Sequence, residues 1–403
     1  MSLFGDLVPR APDAILGLIE RFRADERAHK ISLAQGVYVD ESGNTPVLRS
    51  VREAEERVLA TQTTKVYKPI GGDPAFLEPV RDLVFGAGSP AVAEGRVELL
   101  HTPGGTGALR VAADLIAAVS PGARVWLSEP TWPNHPQVFA AASLALRSYP
   151  YLRPGDGELD LDGLLAALQD ASRGDVVVLH GCCHNPTGMD PAPEQWEAIA
   201  DTLAAAGLLP LVDFAYQGLG DGLAEDGRGL ATLVRRGGTL LVASSFSKSF
   251  ALYDERVGSL GIVGGDRDEA TALLSHAKGA VRANYSNPPA HGGEIVATVL
   301  GDDGLRRLWQ DELRDMRERI DGNRARFVRG LADAGVPGEH SRLLRQRGMF
   351  SLLMLSDDQV TRLRDEFALY VVGRGRINVA GLTEANLGPV CCALALVTAA
   401  TPA

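Results

Sequence analysis

The sequence predicts an α/β protein. It should have a large unit built on a mostly parallel sheet with helices on both faces, and a smaller α+β unit beside it. Three observations carry this. Near-continuous Val/Leu runs (DVVVLH, LLPLVDF, TLLVASS) alternate with amphipathic helical stretches, the pattern of strands buried on both faces. Strand–helix alternation builds parallel sheets through crossovers. The notable polar and aromatic residues Trp132, Asn185, Asp213, Tyr216 and Lys248 all follow apolar runs, and ligands of open α/β sheets bind beyond the carboxyl ends of strands.

Taken in order, residues 1–12, with two prolines and little periodicity, read as an extended arm. Residues 13–27 set Ile15, Leu16, Ile19 and Phe22 at helical spacing. Residues 31–48 break into short strand-like pieces, with Gly36 and Gly43 as turn points. A glycine-rich turn then runs into an apolar helix (102–119), and RVWLSEPTW is a strand with its loop. A helix at 161–171 precedes the strand and polar loop DVVVLHGCCHNPTG. Pro193 opens the next helix (193–207), a position where its missing N–H is harmless. LLPLVDFAYQGL and TLLVASSFSK repeat the strand-then-loop grammar. The charged stretch 303–333 predicts a long bridging helix, and the remainder alternates short strands and helices. The expected division is an arm at 1–12, a small unit from 13–46 with 316–403, and a large unit at 47–315.

A net charge of −11 argues against non-specific binding to nucleic acid or anionic membrane. No run of about 18 apolar residues predicts a membrane span. The N-terminal stretch lacks a basic segment followed by an apolar one, so a cytoplasmic location is expected. Four cysteines fall in two adjacent pairs, Cys182–Cys183 and Cys391–Cys392. That spacing suits reduced thiols better than a disulfide framework, and with His180 and His184 it matches no recognised metal spacing. No metal is expected.

Only five of the 40 basic residues are lysines, and Lys248 is set between two serines after an apolar run. Burial there would lower its pKa and yield a neutral amine, a nucleophile toward carbonyls; a snorkelling side chain is the plain alternative. Ser245, Ser247 and Arg256 lie near it in sequence as hydroxyl and cationic donors. Gly104–Gly107 precede a helix, where backbone N–H groups favour phosphate, although GGTG can be a merely structural turn. It fits neither the dinucleotide fingerprint nor the P-loop, so a phosphate here would belong to a compact cofactor. Asp213 could cap a turn or keep a pyridine nitrogen protonated. Trp132 could be core or the face for a cofactor ring. Asn185 and Tyr216 each offer a donor for a phenolate oxygen.

Together, TPGGTGALR, PTWPNH, HNPTG, DFAYQG, SSFSKSF, ERVG, RANYSNPPAHG and GRGRINVAG resemble, in this order, the class I aminotransferases of the aspartate/aromatic branch. The resemblance runs from about residue 4 to the C-terminus. It implies a fold type I enzyme in which Lys248 forms a Schiff base with pyridoxal 5′-phosphate and then shuttles a proton. Asp213 matches the partner of the pyridine nitrogen, with His135 supporting it. Trp132 matches the stacking residue, which with Asn185 also meets substrate; Asn185 and Tyr216 match the ligands of the ring oxygen. Gly105, Thr106, Ser245 and Arg256 match the phosphate cradle, and Tyr67 the tyrosine that reaches the partner subunit's cofactor. Arg376 resembles the clamp for the α-carboxylate, Arg282 the arginine that crosses a dimer interface to a distal carboxylate, and Gly36 part of the segment that closes over substrate. A homodimer with shared sites and a ping-pong transamination through pyridoxamine phosphate follow, with L-aspartate and 2-oxoglutarate giving oxaloacetate and L-glutamate.

The substrate side departs from the pattern at Gln35, Val39, Val66 and Arg374, whereas Val37, Thr45, Thr106 and Asn287 agree with aspartate-preferring members. Competing readings are an aromatic or specialised aminotransferase, a pyridoxal-phosphate lyase or decarboxylase, and a non-catalytic relative.

Overall fold

The computed structural model describes residue 4, residues 7–9 and residues 15–399, so most of the arm expected at 1–12 lies outside the described residues. Among them are the strands β1 (Ile31–Ser32), β2 (Val97–Pro103), β3 (Arg124–Glu129), β4 (Ala145–Pro150), β5 (Val176–His180), β6 (Leu209–Phe214), β7 (Leu240–Ser245), β8 (Val257–Val263), β9 (Phe350–Leu352), β10 (Leu369–Tyr370) and β11 (Arg376–Asn378). Seven of these form one sheet in the order β2-β8-β7-β6-β5-β3-β4. Strand β8 runs antiparallel to both neighbours, and every other pairing is parallel. The α/β class with a mostly parallel sheet is the observed architecture.

The apolar runs have a direct explanation in this sheet. Val176 and Val178 of β5 join the core built on the helix Gly104–Val119, while Val177 and Leu179 join the core holding Trp196 and Ile199. Both faces are covered, so neither set can be polar. The helix Pro193–Ala206 stops at Gly207, whose φ of +64° is left-handed, a glycine terminus of the usual kind.

A second layer is assembled from both chain ends. β1 pairs with β10 in parallel, and β9 pairs with β11 antiparallel. The long helix has the expected bounds, Asp303–Asp333, and Asp302 caps it by accepting from the N–H of Leu305 at 2.9 Å. Near one end Trp309 Nε1 donates to Ser249 O at 2.7 Å. Further along, Asn323 Nδ2 donates to Leu382 O at 2.8 Å. The helix therefore touches the turn after β7 and the segment after β11.

Three local readings change. The first helix is Leu16–Ala24 rather than 13–27, because Asp25 leaves the helical path to accept from Arg27 Nε at 2.9 Å and from Tyr370 Oη at 2.6 Å. Residues 31–48 give one two-residue strand; beyond it, Asn378 Nδ2 satisfies the carbonyls of Gln35 and Val37 at 2.8 and 2.7 Å, replacing a sheet partner. Gly104–Gly107 form the first turn of the helix itself. No helix among the described residues is long and apolar enough to cross a membrane.

Candidate active site

The carboxyl ends of β5, β6 and β7 open onto a cavity of about 520 Å³. Its walls include Gly36, Gly105, Thr106, Trp132, Asn185, Asp213, Tyr216, Ser245, Lys248, Arg256 and Arg376, which come from widely separated stretches of chain. The structure thus brings together the expected residues except three. His135 stands behind Asp213 as a buried neighbour. Tyr67 lines a different cavity and is 90% exposed. Arg282 is exposed on the helix Arg267–Asn284.

One end of the cavity is built for an anion. The helix Gly104–Val119 has no side-chain cap, so its first-turn N–H groups remain available and its dipole favours negative charge. Gly104 has φ +72°, and a Cβ there would lie 2.7 Å from Arg256 Nη2; glycine lets the guanidinium lie against the helix start. Arg256 Nη1 donates to Ser247 Oγ at 3.1 Å and to Tyr253 O at 3.3 Å. Backbone, hydroxyl and guanidinium donors in one place fit a phosphate.

Lys248 lies in the tight turn after β7, not on the strand itself. Its side chain as a whole is half-buried because it opens on the cavity, yet its amine is packed in protein, 5.1 Å from the Tyr216 ring centroid. Desolvation lowers its pKa to about 8, with Asp213 pulling upward and Arg256 downward. Asp213 is 6% exposed. Burial pushes its carboxyl up, but the hydrogen bond from His135, with the Lys248 amine nearby, outweighs this and holds it below the usual range. His135 Nε2 is 2.9 Å from Asp213 Oδ2, and Thr131 Oγ1 is 2.7 Å from His135 Nδ1. A carboxylate only accepts, so the His135 Nε2 facing Asp213 carries a proton and donates it. An ionised carboxylate is thereby presented to the cavity wall. His180, held neutral by burial with its pKa near 3, has no hydrogen-bond partner among the described residues on either ring nitrogen.

Arg376 closes the other end. Nη1 donates to Asn185 Oδ1 at 3.1 Å and Nη2 to Ala34 O at 2.6 Å, while Nε has no partner among the described residues. Its guanidinium carbon sits 4.3 Å from the Phe350 ring centroid, a cation–π contact. Burial lowers its pKa to about 10, so it stays cationic at neutral pH. A desolvated cation with a spare donor calls for a carboxylate. Phe350 and Thr131 belong to this site though nothing in the sequence singles them out, and His180, weighed from sequence only as a metal ligand, belongs to it too. A histidine at the end of an apolar run was the available signal for His180; Phe350 and Thr131 read as ordinary core and loop. Arg374 does not line the cavity; it is exposed, with φ +56°.

The donor set fits pyridoxal phosphate: an anion cradle, a carboxylate, a low-pKa amine and a flanking tryptophan line one cavity. The chain also matches the family model "Aminotransferase class I and II" over residues 28–394. It is 49% identical over 395 residues to the aspartate aminotransferase of Salmonella typhi, covering 98% of this chain and all of that one. It is 46% identical over 399 residues to the aromatic-amino-acid aminotransferase of Pseudomonas aeruginosa, covering 99% and 100%. Among solved structures, the aromatic-amino-acid aminotransferase of Burkholderia pseudomallei, covalently bound to pyridoxal phosphate, superposes with a TM-score of 0.95 at 44% identity, covering 99% and 100%. With the family model matched over most of its length, the chain belongs to the class I and II aminotransferases.

Proposed function

We propose that the chain transfers the amino group of L-aspartate to 2-oxoglutarate, with pyridoxal phosphate held in the cavity described above. The observation that carries this reading is the placement of Lys248, its pKa lowered to about 8, in one cavity with Asp213 and Arg376. The bound cofactor supplies an electron sink that acidifies the Cα hydrogen of the amino acid. Lys248 would supply a neutral amine for covalent attachment of the cofactor and a base able to move the proton at Cα. Asp213, ionised and oriented by His135, keeps a proton on the pyridine nitrogen. Trp132 would flank the ring, and Asn185 and Tyr216 would donate to its oxygen. Gly105, Thr106, Ser245 and Arg256 hold the phosphate, and Arg376 fixes the α-carboxylate so that Cα faces Lys248.

Tyr67 and Arg282 lie outside this cavity, which supports a homodimer in which each completes its partner's site. Arg282 would then meet the distal carboxylate of aspartate or glutamate, and Tyr67 the cofactor phosphate. The same reading takes 13–46 with 316–403 as the unit that closes over substrate by way of Gly36, and the free cysteines fit a reducing cytoplasm. Similarity to aromatic-amino-acid aminotransferases makes aromatic donors the second reading.

Absorption spectra and steady-state kinetics with aspartate, glutamate, phenylalanine and tyrosine test this. The protein should be yellow, its band should shift on adding aspartate, and the Lys248→Ala variant should lose the band on dialysis. Aspartate turning over about a hundredfold more slowly than phenylalanine would favour the aromatic reading. Mixing Lys248→Ala with Arg282→Ala subunits should restore activity by producing one intact site per mixed dimer.

A further inference from the structure

We infer that Tyr253 is a positioning residue whose hydroxyl seats the segment 34–38 over the cavity and so sets substrate affinity, leaving the chemistry at Lys248 unchanged. The inference rests on the aminotransferase site proposed above.

Tyr253 stands in the stretch between β7 and β8 that also carries Lys248 and Arg256. Its hydroxyl oxygen accepts from the backbone N–H of Tyr38 at 2.8 Å. Its carbonyl accepts from Arg256 Nη1 at 3.3 Å. One half-buried side chain therefore joins the segment bearing Gly36 to the loop bearing the amine. Burial holds its phenol protonated, with a pKa of about 12, so at working pH the group is a neutral hydroxyl.

Thr45 Oγ1 donates locally to Tyr38 O at 3.0 Å, and the segment's other side-chain anchors come from the opposite side. Arg376 Nη2 holds Ala34 O at 2.6 Å, and Asn378 Nδ2 holds Gln35 O and Val37 O at 2.8 and 2.7 Å. Arg376 and Asn378 are the two ends of β11, so these bonds travel with the second layer. The Tyr38–Tyr253 bond is the link to the sheet layer. Gly36, two residues before Tyr38, lines the cavity and sits against Phe350 so closely that a Cβ would lie 2.7 Å from Cζ. A substrate held by Arg376 and reacting at Lys248 spans the two layers, so it needs them at one fixed separation. A hydroxyl that fixes the separation acts on binding of the ground state and the transition state alike, which changes KM and leaves kcat.

The test compares wild-type and Tyr253→Phe holoenzymes; the ring is kept and one acceptor is lost. The bound cofactor's absorption band and its retention on dialysis should match wild type. Hydrogen exchange of peptides covering 34–39 should be about tenfold faster or more. KM for both the amino donor and the oxo acid should rise about tenfold, with kcat within about twofold. An unchanged KM overturns the inference whatever the exchange data show, and so does a fall in kcat at constant KM. Loss of cofactor retention alongside KM also overturns it, because the hydroxyl would then act through Arg256 on the anion end. A wild-type protein that takes up no pyridoxal phosphate, or transfers no amino group, would instead refute the proposed function.

Discussion

Arg376 and Asn185 stand 191 positions apart in the chain and share a hydrogen bond of 3.1 Å. Through it the loop after β5 is tied to β11, and the cavity's buried cation is aimed by a second residue of the same wall. Replacing Arg376 by Lys keeps the charge but loses the planar fork. The expected result is a fall in kcat/KM of about a hundredfold or more with the cofactor band intact. Steady-state kinetics and a spectrum on the same sample check it.

The pair behind the ring separates two roles. Asp213→Asn leaves a neutral amide where a carboxylate held below its usual pKa range stood. On the proposed function its kcat should fall by about a thousandfold or more, since the charge that would retain the pyridine proton is gone. His135→Asn removes only the group that orients Asp213 and should cost about tenfold. A larger loss in the histidine variant than in the aspartate variant would contradict this order.

Lys248 makes a measurable demand on the fold. Its native pKa of about 8 lies below the ordinary lysine value of 10.5, so protonation disfavours the native state. The cost is present in full below pH 8 and disappears as pH rises past the unfolded value. At pH 7, cofactor-free Lys248→Met should therefore be more stable than cofactor-free wild type by up to about 3 kcal/mol. The gap should close between pH 8 and 10.5, as read from denaturant unfolding at each pH. Lys68 supplies a contrast: its pKa is raised by Glu294 and Asp73, so amine-selective labelling near pH 8.5 should favour Lys248 over Lys68.

Gly36→Ala tests the packing under the guanidinium. The new methyl would lie 2.7 Å from Phe350 Cζ, and Phe350 stacks beneath Arg376. Overpacking of this kind costs about 1–3 kcal/mol. KM for the amino acid should rise along with the loss in melting temperature, and pairing with Phe350→Leu should recover part of both.

The strand-end residues were legible because polarity breaks sharply there: Asp213 closes LLPLV, and Lys248 follows TLLVASS, so each stands out from its own run. The helix Asp303–Asp333 was legible as one long charged stretch, while its Asp302 cap is seen only in the structure. Phe350 was not, because an aromatic residue in a short strand has the same signature whether it packs on a core or on a cation. Tyr253 was silent for a similar reason, since its partner is a backbone N–H 215 positions away. The first helix was read too long because Asp25 prefers Arg27 and Tyr370, a tertiary choice no local window contains. Tyr67 and Arg282 stand out by motif alone, and both lie exposed outside the cavity.

The helix Asp303–Asp333 also has mechanical consequences. From Trp309, pinned to the carbonyl of Ser249, to Asn323, pinned to that of Leu382, it is a stiff rod of roughly 21 Å. With Trp309 as fulcrum, a tilt of about 5° carries the Asn323 end through about 2 Å, as lever arithmetic on that length requires. A disturbance too small to see beside the lysine would arrive enlarged at the far side of the molecule. Substitutions at the pivot should therefore be felt most strongly a long way from where they are made.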